Sequence, residues 1–400
     1  MSELIIQNGQ NNINIRFGLL ATTSAIVLVA CVATVQEAIA ADRPTVWIEG
    51  GWYFDSVTGS GDAIVPPLDG LTTSGFSSTP TASNFYVQGA GGFPSFTEME
   101  RALGKSQGAE GSISFQPKGS AWIFNLSGRY GRAHAKNRLD QRREVTGDPS
   151  YTKSALLGTR PYTPHHTNYV IQASDNKEAH VILDFQVGKD IGIGLFGGQM
   201  ESVLSAGVRY AQMSTSSNGH SYAQPDARFY GHGGINILGK YQYIIRPNTH
   251  NSATIQQRIG SFRGVGPSLS WNNTTGLAGD VADGQLALDW GANAALLFGR
   301  QKSKVNYSTS AHYNQITAGL GQTASITHHN TVNRTQSRRV TVPNLGGFAA
   351  LSYRFTNAKI SAGYRADFFF GAMDGGLDSH KSVITGFHGP FAKIAIGLGG

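Results

Sequence analysis

The chain alternates. In the stretch GQLALDWGANAALLFG, Gly284 to Gly299, apolar residues fill every even position from Leu286 through Trp290 to Phe298, while Gln285, Asp289 and Asn293 recur every four positions on the odd ones. The four-residue spacing alone would suit a polar stripe on a helix. Four is also a multiple of two, and only a strand explains both series. Three other segments repeat the pattern. In TVWIEGGWYFD, Val46, Ile48, Trp52 and Phe54 oppose Glu49 and Asp55. In SAWIFNLSGRYG, Trp122, Phe124, Leu126 and Tyr130 oppose Asn125, Ser127 and Arg129. In KISAGYRADFFF, the face from Ile360 and Tyr364 to Phe368 and Phe370 opposes Ser361, Gly363, Arg365 and Asp367.

The apolar face carries Trp, Tyr and Phe near segment ends and smaller residues between them, as a lipid-facing surface with aromatic girdles does. The other face holds Ser, Gly, Asn, Gln and isolated Arg or Asp rather than the Lys and Glu of a soluble sandwich. The pattern predicts an all-β fold: a transmembrane antiparallel up-and-down β-barrel, closed because lipid offers no partner to an unpaired strand edge.

Ten strands are expected, near residues 45–55, 109–116, 120–132, 179–188, 200–213, 255–271, 284–298, 340–355, 359–371 and 388–398, within a range of eight to fourteen. Extra strands are possible in RFYGHGGINILGKYQYII, VNYSTSAHYN and SNFYVQ. Pro117-Lys118-Gly119 and Thr356-Asn357-Ala358 are expected as short periplasmic turns. The polar insertions at about 56–107, 133–177, 214–252 and 301–338 are expected as long extracellular loops. An even strand count puts both ends in the periplasm. Arg263 shares the parity of Val265, Leu269 and Trp271, so a bulge in Gly264-Val265-Gly266-Pro267 is expected to reset its facing.

Composition narrows the class. Only 14% of the residues are charged, against roughly 25% in an ordinary soluble domain, and there are 51 glycines. The one long apolar run, Arg16 to Ala40, has a positive charge, an apolar middle and Ala38-Ile39-Ala40 before Ala41. It reads as a cleaved secretory signal over residues 1–40, leaving a barrel domain at 41–400. The polar lead from Met1 to Ile15 is long for such a signal, which leaves room for a downstream start. A retained anchor, or a lipid-attachment box at Leu28-Val29-Ala30-Cys31, are the alternatives. Cys31 is the only cysteine, so the mature chain has no disulfide and no cysteine zinc site.

Net charge is +7, and loss of one Arg and two Glu with the signal makes it +8. The densest basic run, Arg129 to Glu144, has no aromatic ladder or nucleic-acid module beside it. Outer-membrane lipids, lipopolysaccharide phosphates, anionic solutes and host surface molecules are the partners expected, with no nucleic acid. His165-His166 and His328-His329 each give at most part of a metal site, so no metal or cofactor is expected. Ser361 and His388 have no spacing that pairs a nucleophile with its base, and no enzymatic activity is expected.

Local motifs in the second half go beyond pattern. DFQVGKD (184–190), AGVRYAQM (206–213), FRGVGPSLSW (262–271), ALLFGR (295–300), AGYRADFFFGAMDGG (362–376) and FHGPFAKI (387–394) resemble the family of the Legionella major outer membrane protein, pore-forming outer membrane proteins. The resemblance covers roughly Asp184 to Leu398. It implies a porin-type barrel in the outer membrane of a Gram-negative bacterium, with surface exposure and no catalytic set. Such barrels generally end in an aromatic residue that the assembly machinery reads. This chain ends Ile396-Gly397-Leu398-Gly399-Gly400, which leaves internal Phe391 or Leu398 for that role.

The lumen side is expected to hold Glu49, Arg129, Asp184, Arg209, Asp289, Asn293, Arg365 and Asp367. Two readings follow. These residues line a constriction passing small hydrophilic solutes or ions with a weak anion preference. Alternatively they pair into a polar core, and the plugged barrel anchors surface loops that bind partners.

Overall fold

A computed structural model describes residues 46–59, 105–118, 120–146, 152–155, 158–161, 165–191, 200–224, 228–235, 241–316, 323–376 and 380–398. The expected signal segment, Cys31 and SNFYVQ lie outside them. Among the described residues all the regular elements are strands: β1 (Val46–Thr58), β2 (Lys105–Phe115), β3 (Trp122–Thr146), β4 (Thr152–Ala155), β5 (Gly158–Pro161), β6 (His165–Asp190), β7 (Met200–Gln224), β8 (Arg228–Ile235), β9 (Tyr241–Asp280), β10 (Gly284–Ile316), β11 (Thr323–Arg354), β12 (Ala358–Asp374) and β13 (Ser382–Leu398).

Ten of them close one antiparallel ring in the order β1-β2-β3-β6-β7-β9-β10-β11-β12-β13 and back to β1. This is the up-and-down barrel the alternation predicts, at the expected count. Val46 pairs with both Leu398 and Phe115, which sets the two ends of the ring sequence beside a short turn. The predicted turns are in place: Ser120 N–H bonds the Pro117 carbonyl at 3.0 Å, and Phe355 N–H bonds the Ala358 carbonyl at 2.7 Å. RFYGHGGINILGKYQYII does contain an extra strand, β8, but it pairs only with the first residues of β9 and adds nothing to the wall.

Three expected loops are corrected. Segments 133–177, 214–252 and 301–338 are largely continuations of β3, β6, β7, β9, β10 and β11, and β10 and β11 stay in register from Gln285–Arg354 to Ile316–Thr323. Both faces of these extensions are largely polar, so hydrophobic alternation does not reveal them. Burial does. On β6 every even residue from Asn168 to Gly188 is buried, first Asn168, Gln172, Ser174 and Asn176, then the barrel positions His180, Ile182 and Asp184.

The expected bulge at 264–267 is also corrected. β9 keeps one register against β7 through Pro267, and its register shift against β10 lies between Leu286 and Ala287. The proline, lacking an N–H, leaves a gap in the ladder opposite Leu296 and Leu297 rather than an extra residue. Gly266 fits because a Cβ there would come within 1.9 Å of the Leu296 carbonyl oxygen. Arg263 therefore keeps its outward facing.

The outward face is a continuous apolar belt with Trp52, Phe54, Trp122, Phe185, Leu269, Phe298, Leu351, Tyr364 and Ile394 exposed on it. A soluble monomer rarely exposes an apolar patch beyond a few hundred Å². Along β12 the belt runs from Ile360 to Phe370, about 25 Å of height for a strand tilted by about 40°.

Candidate functional site: the barrel lumen

Ten strands spaced about 4.8 Å and tilted by about 40° enclose a ring roughly 20 Å across between backbones, which long side chains from both walls can fill. All eight predicted lumen residues point inward, and they meet. Arg209 lies directly opposite Asp184 in the β6–β7 ladder and grips it through Nε (2.7 Å) and Nη2 (2.9 Å). Its Nη1 donates to Asn293 Oδ1 at 2.6 Å and to Asn344 Oδ1 on β11. Arg129 crosses from β3 to Asp367 on β12 at 2.5 Å. Arg365 forms a fork with Glu110 on β2, at 2.5 and 2.9 Å, with Phe391 4.5 Å beneath its guanidinium. Lys393 bonds Glu49 at 2.9 Å and lies 3.6 Å from Glu110. Asp289 accepts from Lys359 at 3.2 Å and from Thr274 at 2.8 Å. Each predicted charge thus has a partner of opposite sign within the ring, as a satisfied polar core requires.

Pattern reasoning missed Glu110, Lys359, Lys393 and a second polar group. Tyr53 Oη and His180 Nε2 are 2.9 Å apart, and His180 Nδ1 lies 3.1 Å from Glu178 Oε1, all buried. The rings need bare backbone beneath them: a Cβ on Gly108 would sit 2.2 Å from the Tyr53 ring, and one on Gly131 would sit 2.5 Å from that of His180.

The larger surprise is apolar. Moving toward the long hairpins, the inward face of five walls changes character: Asp184 gives way to Ile182, Arg209 to Ala211 and Met213, Asn293 to Ala295 and Leu297, Asn344 to Val342, and Asp367 to Phe369. With Val57, Phe262 and Phe387 these side chains pack into one buried cluster across the lumen. A side chain lining a water-filled channel is wet. Phe262, Leu297, Val342 and Phe369 are each 0% exposed. The signal was present in the parity, since Leu297 and Phe369 share the series of Asp289 and Asp367.

Above this layer, Arg258 reaches from β9 to the β12–β13 turn, where its Nη1 donates to the Gly375 carbonyl at 2.9 Å and its Nη2 to that of Asp374. Asp374 closes the same turn by accepting from Gly376 N–H (3.1 Å) and Lys381 N–H (3.0 Å), with His380 Nδ1 at 3.3 Å. Burial opposes ionisation of Asp374, but these two N–H donors and His380 outweigh it and hold its carboxyl below the ordinary Asp value. A depressed native pKa stabilises the fold above the unfolded value and loses that contribution as pH falls through the native one. The turn is therefore expected to stay closed at a pH where free Asp is already protonated. A carboxyl titration of Asp374 by NMR checks this, and a midpoint at or above the ordinary Asp value contradicts it.

Fold and lumen together define the class: a closed ten-stranded antiparallel barrel with a charged interior capped by an apolar layer. No family model matches the chain, and no curated protein matches it.

Proposed function

We propose that this chain is an exported outer-membrane barrel whose own side chains close its lumen, so that it acts as an anchor and presents its extended hairpins at the cell surface. The apolar layer carries this reading: Phe262, Leu297, Val342 and Phe369 are completely buried between the polar core and the hairpins, as the side chains of a closed lumen would be. The outward belt supports the membrane half of the reading, since water would not tolerate it and a hydrocarbon layer of similar height covers it. An orientation with the short turns in the periplasm puts the hairpins outside.

The porin-like reading, with solutes drawn by a weak anion preference, finds less support, because the lumen's cations are paired with carboxylates rather than displayed to water. The resemblance to pore-forming outer membrane proteins keeps it as the rival. Purified mature protein in a planar bilayer separates the two. No discrete conductance steps are expected at any potential, and reproducible steps with an anion-shifted reversal potential would restore the porin.

A further inference from the structure

The outward face changes abruptly at the hairpin end of the belt. Tyr210, Val265, Phe298 and Thr341 lie in one cross-strand row on β7, β9, β10 and β11, and the next outward row is Gln212, Arg263, Arg300 and Arg339. Arg263 is the direct partner of Arg300, and Arg300 of Arg339, so their Cα atoms are about 4.5–5.5 Å apart. Lys302 and Lys304 follow on the same face of β10. All five are exposed.

Like charges directly opposite one another destabilise a sheet. Among the described residues of these strands no outward carboxylate offsets them. The acids in β9, β10 and β11 are Asp280, at the short-turn end, and Asp289, inside the lumen. Asp367 and Asp374 of neighbouring β12 are buried inside, and Glu201 of β7 lies at the short-turn end. Three arginines are thus held in register, pointing outward, one step beyond the apolar belt and remote from any outward carboxylate of their own strands. Planar guanidinium groups match phosphate oxygens in a bidentate fork.

We propose that Arg263, Arg300 and Arg339, with Lys302 and Lys304, bind the phosphates of a phosphorylated lipid headgroup in the outer leaflet, as lipopolysaccharide carries. The height favours a lipid over a free anion, because acyl chains would lie on Val265, Phe298 and Leu345 while the phosphates reach the arginine row. The inference rests on the membrane reading above and adds to it a ligand and a place.

The test uses the full mature chain in zwitterionic detergent, with native mass spectrometry reading bound bisphosphorylated lipid A, its dephosphorylated form and inorganic phosphate. The triple variant R263Q/R300Q/R339Q is compared with R138Q/R142Q/R143Q, which removes the same charge from the β3 extension. Heat-modifiable gel mobility verifies that each variant is folded. Bisphosphorylated lipid A is expected to bind the wild type and the β3 variant alike, and the arginine-row variant roughly tenfold to a hundredfold more weakly. Dephosphorylated lipid A is expected to bind no better to the wild type than to that variant. Undiminished binding by the row variant, or an equal loss in the β3 variant, overturns the site. Displacement of the lipid by inorganic phosphate at equal phosphate concentration overturns the lipid assignment in favour of a free anion. Binding of heparin that depends on the row, without any for lipid A, overturns it in favour of a surface polyanion. Flotation of the wild type with phosphatidylcholine vesicles tests the membrane reading separately: a chain that fails to insert defeats that reading, and one that inserts without preferring the phosphorylated lipid defeats this one.

Discussion

Replacing Arg209 by Ala is expected to cost about 3–5 kcal/mol of unfolding free energy, the range for breaking a buried ion pair. The reason is what remains behind. Asp184 would keep its place at 8% exposure with no cation opposite, and Asn293 and Asn344 would lose the donor that ties β7 to three other walls. Urea titration of the detergent-solubilised barrel measures the loss. The double variant R209A/D184A should recover part of it, because removing the acid removes the stranded charge. A loss below about 1 kcal/mol is the behaviour of an exposed pair and would mean that water fills the lumen at this level. The stability measurement thereby reports on closure independently of conductance.

The second large effect concerns the seal. Phe262 and Phe369 extend from β9 and β12 into the apolar layer, both wholly buried, and Phe369 lies 6.1 Å from the Phe387 ring. Cutting both to Ala removes two of the three phenylalanine rings between the polar core and the hairpins, at about 3–5 kcal/mol each. The ring of backbone hydrogen bonds is untouched. Where wild-type protein is silent in a planar bilayer, the folded F262A/F369A variant is expected to show discrete steps, because water can then bridge to a network that is already polar. A folded variant that stays silent would move the seal to the ion-paired core.

The barrel was legible because an apolar outer face set against a polar inner one is the strongest contrast a strand can carry. Trp52 and Phe54 stand opposite Tyr53 and Asp55, and that parity decides facing wherever one side is uniformly apolar. The same parity placed all eight lumen residues inside. It failed where the contrast vanished. In the extensions, Thr, Ser, Asn and Gln occupy both faces, so strands such as 165–178 and 301–316 read as loops although their backbones stay paired. It also failed in the apolar layer, since Leu297 and Phe369 look like lipid-facing residues out of step until their height along the wall is known. Partners across the ring, such as Glu110 and Arg365, are 255 residues apart, and only closure brings them together. Arg263 illustrates the opposite error: its outward facing looked like a fault requiring a bulge, whereas it belongs to a row spread over three strands.

The seam between the first and last strands has a kinetic meaning. Val46 finds Leu398 only after the whole intervening chain exists, so the ring cannot shut during synthesis and every partial assembly carries two raw edges. Loop closure on that scale is slow, and an unfinished sheet is a template for joining other copies. Those edges must therefore be kept apart until the last strand arrives. Closing the ring brings β1 against β13, so a mutation that weakens this pairing is expected to leave both edges open to other copies.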